Sequence, residues 1–322
     1  MTESTDMLTV QDEQEKARLA DSPFTFVRYS KPHEEHPERN EDYILVDAQR
    51  GLAAVFDGVG GNERGGMAAR VAARTIQRHW RHVLRQAQEE QTLLKRRKSG
   101  EESKGNEELD VRAVLKNLVI AANDYVRIAG YREIKANGAP LSMGTTVVMA
   151  VFSRREEEGG DTGYLMTYAH VGDSRIYLLR RDEKLRRLTS DDGYFRILLK
   201  DEKIVEEDIW HIDQATRVED LTETEKGYFD KRNGITQSLG EQKRLDVHVD
   251  QVELEDGDRI LFCSDGVHDN LIDLEIEEIL RSGGRTRVAK MLVQRAIERS
   301  HEENALRAKK DDMSALVVMC NF

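Results

Sequence analysis

Residues 52–61 read LAAVFDGVGG, five apolar residues in a row followed by Asp57 and a glycine-rich turn. A strand that is apolar at every position needs cover on both faces, because a strand with one solvated face alternates between apolar and polar residues. The runs TTVVMAVF at 145–152 and SALVVMC at 314–320 share this property. We therefore expect two sheets packed together, with helices covering their outer surfaces.

Short strands, turns and helices follow one another along the rest of the chain. The segment 47–51 predicts a hairpin between strands at 43–46 and 52–56. Helices are expected from Gly65 and from Asp110, a good N-cap, because apolar residues follow both at helical spacing. The other expected strands are 145–152, 164–171, 175–179, 245–254, 259–263 and 315–320, and two more helices are expected at 274–281 and 286–301.

Three segments depart from this regular pattern. Residues 1–22 are polar and patternless, which predicts a disordered tail before a single domain over 23–322. Residues 86–109 carry charges and glycines that are costly to bury, so we expect an exposed helix extension followed by a loop. Residues 190–234 are acidic and predict an insertion of mixed helical and irregular structure.

The composition limits the kinds of partner. The formal net charge of −12 argues against nucleic acid or an anionic membrane as a binding surface. No stretch approaches the ~18 apolar residues of a membrane span, and the N-terminus lacks the pattern of a signal peptide. We expect a cytoplasmic monomer in which the two cysteines, Cys263 and Cys320, are buried free thiols.

Acidic residues fall at the ends of the predicted strands. Asp57 follows LAAVF, Asp265 follows RILFCS, Asp311 and Asp312 precede MSALVVMC, and the Asn-Glu-Asp triplet 40–42 precedes YILV. One aspartate at a strand end is usually a turn residue. Four such clusters, interpreted as having no lysine or arginine adjacent in the same turn, would repel one another in a fold unless a cation neutralised them.

The ligand types indicate the kind of cation and the chemistry. Carboxylates, carbonyls and water suit Mg²⁺ or Mn²⁺, whereas zinc would require His or Cys pairs at spacings that the sequence lacks. Two such ions ~4 Å apart can bridge a water, lower its pKa and place it in line with phosphorus. The stretch GGNERGG at 60–66 lacks the Lys and Ser/Thr of a P-loop, and no arginine cradle follows Cys263.

Seven motifs resemble, in order and spacing, those of the type 2C metal-dependent protein phosphatases: NED (40–42), DGVGG (57–61), MGTT (143–146), HVGDSR (170–175), ITQSLG (235–240), DRILFCSDGVHD (258–269) and DDMSALVV (311–318). The resemblance covers roughly residues 24–322. It implies an α+β fold, a four-layer α-β-β-α sandwich with two central, mainly antiparallel sheets. It also implies two Mg²⁺ or Mn²⁺ ions in a cleft at one end. The implied activity is hydrolysis of phosphoserine or phosphothreonine by a water that bridges the ions, without a phosphoenzyme.

Carried over by motif position, the resemblance implies a set of metal-site residues: Glu41, Asp42, Asp57, Gly58, Asp265 and Asp312. In this set Asp57 bridges both ions and Gly58 offers its carbonyl. Asp265 and Asp312 complete the first site, Glu41 joins the second, and Asp42 holds metal-bound water.

Other family motifs are expected to have no catalytic role. Gly144 and Thr145 in MGTT, and Gly172 and Asp173 in HVGDSR, resemble parts of the family's structural frame. The segment 190–234 takes the place of the family's mobile flap, where we expect substrate preference to be determined.

The sequence departs from the family pattern at three places. Pro37 stands where members usually carry a phosphate-binding arginine, and Arg39, two residues on, is the candidate replacement, with a surface charge as the alternative. Val59 replaces a histidine that follows Asp-Gly in many eukaryotic members, as in a bacterial form. His36 or water could then protonate the leaving group, although His36 also fits a surface position. Residues 139–142 offer no carboxylate for a third metal, which makes a third site doubtful.

Three functional hypotheses follow. The first is an active phosphatase whose partners are proteins phosphorylated on serine or threonine by a cognate kinase. The second, motivated by Pro37 and the flap-like segment, is a weakly active or inactive module that binds phosphoproteins or a regulatory partner. The third is an unrelated acidic sandwich whose aspartates only form turns. Retention of every implied metal ligand favours the first.

Overall fold

The structure is a computed structural model that describes residues 22–60, 63–97, 109–137, 143–156 and 162–322. The predicted tail over 1–22 lies outside these residues except for Ser22, and so do residues 98–108 of the predicted loop. No helix in the described part of the chain is long and apolar enough to cross a membrane.

Two five-stranded sheets form the centre of the fold. The strands of the described residues are β1 Phe24–Lys31, β2 Tyr43–Asp47, β3 Leu52–Phe56, β4 Gly58–Val59, β5 Gly144–Thr145, β6 Val147–Glu156, β7 Thr162–Val171, β8 Arg175–Leu179, β9 Arg186–Arg187, β10 His248–Leu254, β11 Arg259–Cys263 and β12 Met313–Cys320. One sheet has the order β1-β12-β11-β8-β9 and the other β10-β7-β6-β3-β2, while β4 and β5 form a small ribbon. All of these strand pairs are antiparallel.

Helices cover the outer faces of both sheets, and three of them lie in the 190–234 segment. Their bounds are α1 Glu63–Arg97, α2 Val111–Asn137, α3 Tyr194–Lys200, α4 Glu206–Asp213, α5 Glu223–Phe229, α6 Asp265–His268, α7 Asp273–Ser282 and α8 Val288–Ser300. The predicted cap of α2 is present, since Asp110 Oδ1 accepts a hydrogen bond from the amide of Ala113 at 3.1 Å. Within the 86–109 segment the chain is helical as far as Arg97.

Three apolar clusters fill the spaces between four layers. In the first, α1 and α2 pack on the outer face of the β10-to-β2 sheet, with Ile76 and Leu115 fully buried. In the second, α7 and α8 cover the other sheet, and Leu292 is fully buried there. In the third, Val55 and Phe262 belong to the core between the sheets. The predicted four-layer α-β-β-α sandwich is therefore confirmed.

The structure extends and adjusts the strands predicted from sequence. Strand β1 was not predicted, because FTFVRYSK at 24–31 is mostly half-buried and lacks the continuous apolar pattern of the central strands. The strand expected over 245–254 begins at His248, and the one expected from Thr145 begins at Val147. The two cysteines are buried and free, as predicted.

The antiparallel topology brings the acidic strand ends together. The end of β3 and the start of β2 are adjacent, because Phe56 pairs with Tyr43. The end of β11 and the start of β12 are likewise adjacent, because Cys263 pairs with Ala315. Residues just beyond these four ends therefore meet at one edge of the sandwich.

An ion-pair network holds the 190–234 segment against the HVGDSR motif. The guanidinium of Arg175 donates to Asp191 at 2.6 Å and to Asp213 at 3.0 Å, and its side chain is only 4% exposed. The carbonyl oxygen of Asp213 accepts a further hydrogen bond from Arg307. Since these charges are buried, each depends on its partners for stability.

Candidate metal centre

A cleft of about 420 Å³ opens at this edge of the sandwich. Its acidic lining consists of Glu35, Glu41, Asp57, Asp173, Asp265, Asp311 and Asp312. Asp42 is buried and is hydrogen-bonded to the hydroxyl of Ser264 at 2.7 Å. The four acidic clusters of the sequence therefore converge in space.

The MGTT motif fixes the backbone of Asp57. The hydroxyl of Thr145 and the amide of Thr146 both donate to the carbonyl oxygen of Asp57, at 2.9 and 2.8 Å. The amide of Asp57 in turn donates to the hydroxyl of Thr146 at 3.1 Å. With both backbone groups bound, Asp57 is held in place just where β3 ends, as expected of a structural frame.

Gly58 sits where no side chain would fit. A Cβ placed on Gly58 would lie 2.2 Å from the carbonyl carbon of Gly65 and 2.8 Å from the carbonyl oxygen of Glu41. A Cβ on Gly65 would lie 2.6 Å both from the Gly58 carbonyl oxygen and from Glu41 Oε2. The two glycines thus allow the start of α1 and the NED loop to approach the backbone of the cleft.

The carboxylates of the cleft repel one another. Burial, followed by the charge of Asp265, raises the pKa of Asp57 and of Asp173 well above the usual range. The same two causes raise the pKa of Asp311 to about 7. Burial also raises the pKa of Asp42. Hydrogen bonds from serines lower this pKa, and the charges of Asp311 and Asp312 raise it further. Such a group of acids is most stable when a cation shares it.

Several carboxylate oxygens of the cleft accept no hydrogen bond. Among the described residues, Glu41 Oε1, Asp42 Oδ1 and Asp265 Oδ1 are buried and accept no hydrogen bond. A buried oxygen without a partner is unfavourable. Because all three are hard oxygen donors, the set fits Mg²⁺ or Mn²⁺.

Lys309 is a positive charge next to the acidic clusters, contrary to the interpretation of the sequence. The clusters were interpreted as having no adjacent lysine or arginine, but Lys309 directly precedes Lys310 and Asp311 in the chain. Its ammonium group contacts Asp265, and lies 2.8 Å from Asp269 and 3.1 Å from Asp311. Part of the negative charge is therefore neutralised by the chain itself.

Asp311 and Asp312 differ in what their carboxylates contact. Both oxygens of Asp312 accept backbone hydrogen bonds, one from His33 at 2.6 Å and one from Glu41 at 2.7 Å. Asp311 instead contacts Lys309 and feels the charge of Asp265 most strongly among its neighbours. Asp312 thus fastens the NED loop to β12, while Asp311 belongs to the group around Asp57.

Arg39 and His36 lie at the mouth of the cleft beside Pro37. The guanidinium Nε of Arg39 lies 3.3 Å from Glu41 Oε1, so this arginine does reach the acidic group. His36 is also part of the cleft lining rather than an isolated surface residue. Its Nδ1 atom lies 3.0 Å from the carbonyl oxygen of Arg39, and its ring is 5.1 Å from that of His33.

Comparison with known families agrees with this geometry. A family model described as Protein phosphatase 2C matches residues 31–310. The chain belongs to the protein phosphatase 2C family. The resemblance drawn from the seven motifs is therefore confirmed, and with it the class of enzyme, a metal-dependent phosphatase of phosphoserine and phosphothreonine.

Individual phosphatases resemble this chain over most of its length. Serine/threonine phosphatase stp of Listeria innocua is 27% identical over 249 residues, which are 77% of this chain and 78% of the relative. Protein phosphatase PhpP of Streptococcus pneumoniae is 27% identical over 247 residues, 76% and 79% of the two chains.

Solved structures share the fold at lower identity. The serine/threonine phosphatase PstP/Ppp of Mycobacterium tuberculosis has a TM-score of 0.63 at 23% identity, covering 93% of this chain and 99% of that one. The catalytic domain of PstP in complex with two manganese ions has a TM-score of 0.62 at 22% identity, with the same coverage.

Three acidic residues that line the cleft of this protein phosphatase 2C chain, Glu35, Asp173 and Asp311, were not among the predicted metal-site residues. Asp173 was expected to be part of the structural frame only, yet it lines the cleft and its pKa responds to Asp265. It lies two residues before β8, which pairs with β11, so its position near a strand end was the available signal. The prediction about a third metal rests on residues 139–142, which lie outside the described residues.

Proposed function

We propose that this chain is an active phosphatase that uses two Mg²⁺ or Mn²⁺ ions to hydrolyse phosphoserine and phosphothreonine in proteins. The observation that supports it best is the convergence of Asp57, Asp173, Asp265 and Asp311 in one cleft together with unpartnered carboxylate oxygens. When bound, two such cations lower the pKa of a water ligand and screen the charge of a phosphate group.

The proposed ligands combine the family resemblance with the contacts of each carboxylate. Asp57, Asp265 and Glu41 would hold the ions. The Gly58 carbonyl would supply a backbone ligand. We assign the ligand role at the start of β12 to Asp311 rather than to the predicted Asp312, whose oxygens are already bound by the amides of His33 and Glu41.

Asp42 acts from behind the cleft. One of its oxygens accepts a hydrogen bond from Ser264, and the other accepts none from the part of the chain that the structure describes. That second oxygen is suited to accept a hydrogen bond from water bound in the cleft, which is the role predicted from sequence.

Arg39 is proposed to bind the phosphate group of the substrate in place of the arginine that Pro37 excludes. A guanidinium can contact two phosphate oxygens at once. The nearest charge to Arg39 is Glu41, at 3.3 Å, so binding of a cation by Glu41 would release Arg39 for substrate. His36, which contacts the Arg39 carbonyl oxygen, is a positioning residue for this loop.

The partners are defined only as classes of protein, and the cellular location is a proposal. The substrates are phosphorylated proteins, and we propose that a cognate Ser/Thr kinase supplies them in the cytoplasm and that the phosphatase acts as a monomer. Asn233 and Ile235 at the end of the 190–234 segment line the cleft, which supports a role of this segment in substrate choice.

A weakly active phosphoprotein-binding module is the second candidate. Lys309 and Pro37 favour it, because one supplies a competing cation and the other removes an expected phosphate ligand. It predicts binding of a phosphopeptide without turnover.

The test is hydrolysis of a phosphothreonine peptide and of p-nitrophenyl phosphate, with Mn²⁺, with EDTA, and with an Asp57→Asn variant. The proposal requires turnover that depends on Mn²⁺ and is lost in the variant. If folded protein binds Mn²⁺ and the phosphopeptide but hydrolyses neither substrate, the binding module replaces it.

A further inference from the structure

A second group of metal-ligand side chains lies outside the cleft. His170 at the end of β7 is paired across the sheet with His248 at the start of β10. Asp192, near the start of the 190–234 segment, completes the group. One ring nitrogen of each histidine and a carboxylate oxygen of Asp192 all lie within 4.8 Å of one another. None of the three lines the catalytic cleft.

The contacts of His248 conflict with one another. Its Nε2 atom is 3.0 Å from Asp192 Oδ1 and 2.7 Å from a guanidinium nitrogen of Arg196. A carboxylate oxygen only accepts a hydrogen bond and a guanidinium nitrogen only donates one. A single ring nitrogen cannot donate to the first while accepting from the second, so one of these two close contacts is unfavourable in either tautomer.

His170 lies next to His248 and has a ring nitrogen whose lone pair can bind a cation. Its ring is stacked on that of His248, with centroids 4.6 Å apart, and the residue is only 5% exposed. Its Nδ1 atom is buried and has no hydrogen-bond partner among the described residues. Burial, and next the charge of His248, lower the pKa of His170 to about 4, so the ring is neutral at physiological pH.

We propose that His170, His248 and Asp192 form a binding site for a transition-metal cation of the Zn²⁺ type, separate from the catalytic ions. Zn²⁺ binds imidazole nitrogen and carboxylate oxygen in tetrahedral sites, and solvent can take the fourth position. The ligand atoms must approach from at most 4.8 Å to about 3.3 Å of one another. The two nitrogen ligands favour zinc over Mg²⁺, which prefers oxygen.

The side chain of Arg196 has an alternative partner that it can contact when the cation binds. Its side chain is 42% exposed, and it already donates to the exposed carboxylate of Asp246 at 3.1 Å. Turning fully to Asp246 would remove the positive charge from His248 and Asp192. Arg196 thus acts as a built-in competitor for the proposed site.

The surroundings hold Asp192 in a fixed orientation. Its second oxygen accepts hydrogen bonds from the amide of Gly172 at 3.0 Å and from Gln237 at 2.6 Å. Such outer contacts are typical of metal-binding carboxylates. Because Gly172 immediately precedes Asp173, a bound cation would join the start of the 190–234 segment to the central sheet next to the cleft.

The two histidines are far apart in sequence, which is why zinc was disfavoured on spacing alone. They are brought together only by the pairing of β7 with β10. A cleft of about 460 Å³ that includes both histidines gives access from solvent.

Isothermal titration of the full chain with Zn²⁺, in saturating Mg²⁺ to occupy the oxygen-rich cleft, tests the site. We expect one Zn²⁺ per chain, an affinity at least tenfold lower in His248→Gln, and a higher affinity in Arg196→Gln, which removes the competing cation. His82→Gln, an exposed histidine on α1, is the matched control and should bind as the wild type does. Co²⁺ absorption bands of a tetrahedral nitrogen-containing site should appear in the wild type and be absent from His248→Gln.

The site is refuted if wild-type protein takes up no Zn²⁺ in Mg²⁺, or if His248→Gln binds it unchanged. Weaker binding by Arg196→Gln also overturns it, since Arg196 would then support Zn²⁺ binding instead of competing with it. Circular dichroism of each variant separates loss of binding from loss of fold.

Discussion

The carboxylate of Asp312 accepts a backbone hydrogen bond from Glu41 at 2.7 Å, joining β12 to the loop that carries the NED motif. Its other oxygen is bound by the amide of His33. Asp312 therefore has a structural contact for each oxygen, while its neighbour Asp311 has its carboxylate in the acidic group of the cleft. Adjacent aspartates with different partners allow their roles to be separated by mutation.

Asp311→Asn should weaken Mn²⁺ binding at least tenfold, because it removes a charged ligand from the centre of the cleft. Asp312→Asn should bind Mn²⁺ nearly as the wild type does but lose about 1–3 kcal/mol of unfolding free energy, since one amide donor is left unpaired. Calorimetric titration with Mn²⁺ and urea unfolding measure the two effects. If Asp312→Asn weakens Mn²⁺ binding and Asp311→Asn does not, Asp312 is the metal ligand.

Lys309→Met should tighten Mn²⁺ binding several-fold, by at least about 1 kcal/mol, because it removes a positive charge that competes with the cation for Asp265 and Asp311. The metal-free variant should also melt at a lower temperature, since the carboxylates lose a counter-charge. Lys310→Met is the matched control, as Lys310 pairs with Glu34 at the surface. Unchanged or weaker Mn²⁺ binding in Lys309→Met would show that the lysine organises Asp265 rather than opposing the metal.

The fold was largely predictable because its strands are apolar at every position. LAAVF and SALVVMC require cover on both faces, and two packed sheets with outer helices supply it. Strand β1 escaped prediction because half-burial at the edge of a sheet leaves no clear apolar period. The order of the strands could not be read from periodicity, and it is seen only in the structure.

The motifs of the candidate site could be predicted from the sequence, but the contacts of its side chains could not. Asp57 and Asp265 stand at strand ends, a position visible in the sequence. The difference between Asp311 and Asp312 was not visible, because it depends on amides of His33 and Glu41 that are 279 and 271 residues away in the chain. The ion pairs of Lys309 were missed although the lysine stands only two residues before Asp311.

Arg39→Lys should raise KM for a phosphothreonine peptide and lower kcat/KM on the order of 10- to 100-fold, because an ammonium group cannot contact two phosphate oxygens as a guanidinium does. That range corresponds to loss of a charged hydrogen bond of about 1.5–3 kcal/mol. Steady-state kinetics in saturating Mn²⁺ measure it. Arg28→Lys, an exposed arginine on β1, is the control. Equal kinetics for both variants would mean that Arg39 does not bind the phosphate group of the substrate.

The acid stability of the protein should depend on the Arg175 network. Burial tends to raise the pKa of Asp213, but the charges of Arg175 and Arg187 outweigh it and hold that pKa far below the usual range. A depressed folded-state pKa adds stability above the unfolded value, about 3.9, and this stability is lost as pH falls below about 4. Asp213→Asn should therefore be less stable than the wild type by about 3–5 kcal/mol at pH 7, because Arg175 is left with unbalanced buried charge.

The same linkage predicts that the difference in unfolding free energy between wild type and Asp213→Asn narrows as pH is lowered from 7 to 3.5. Urea unfolding followed by circular dichroism across this range measures it. Asp182→Asn, an exposed carboxylate, should match the wild type at every pH. A difference that stays constant with pH would mean that Asp213 contributes through packing and hydrogen bonds, and that its proton is not linked to folding.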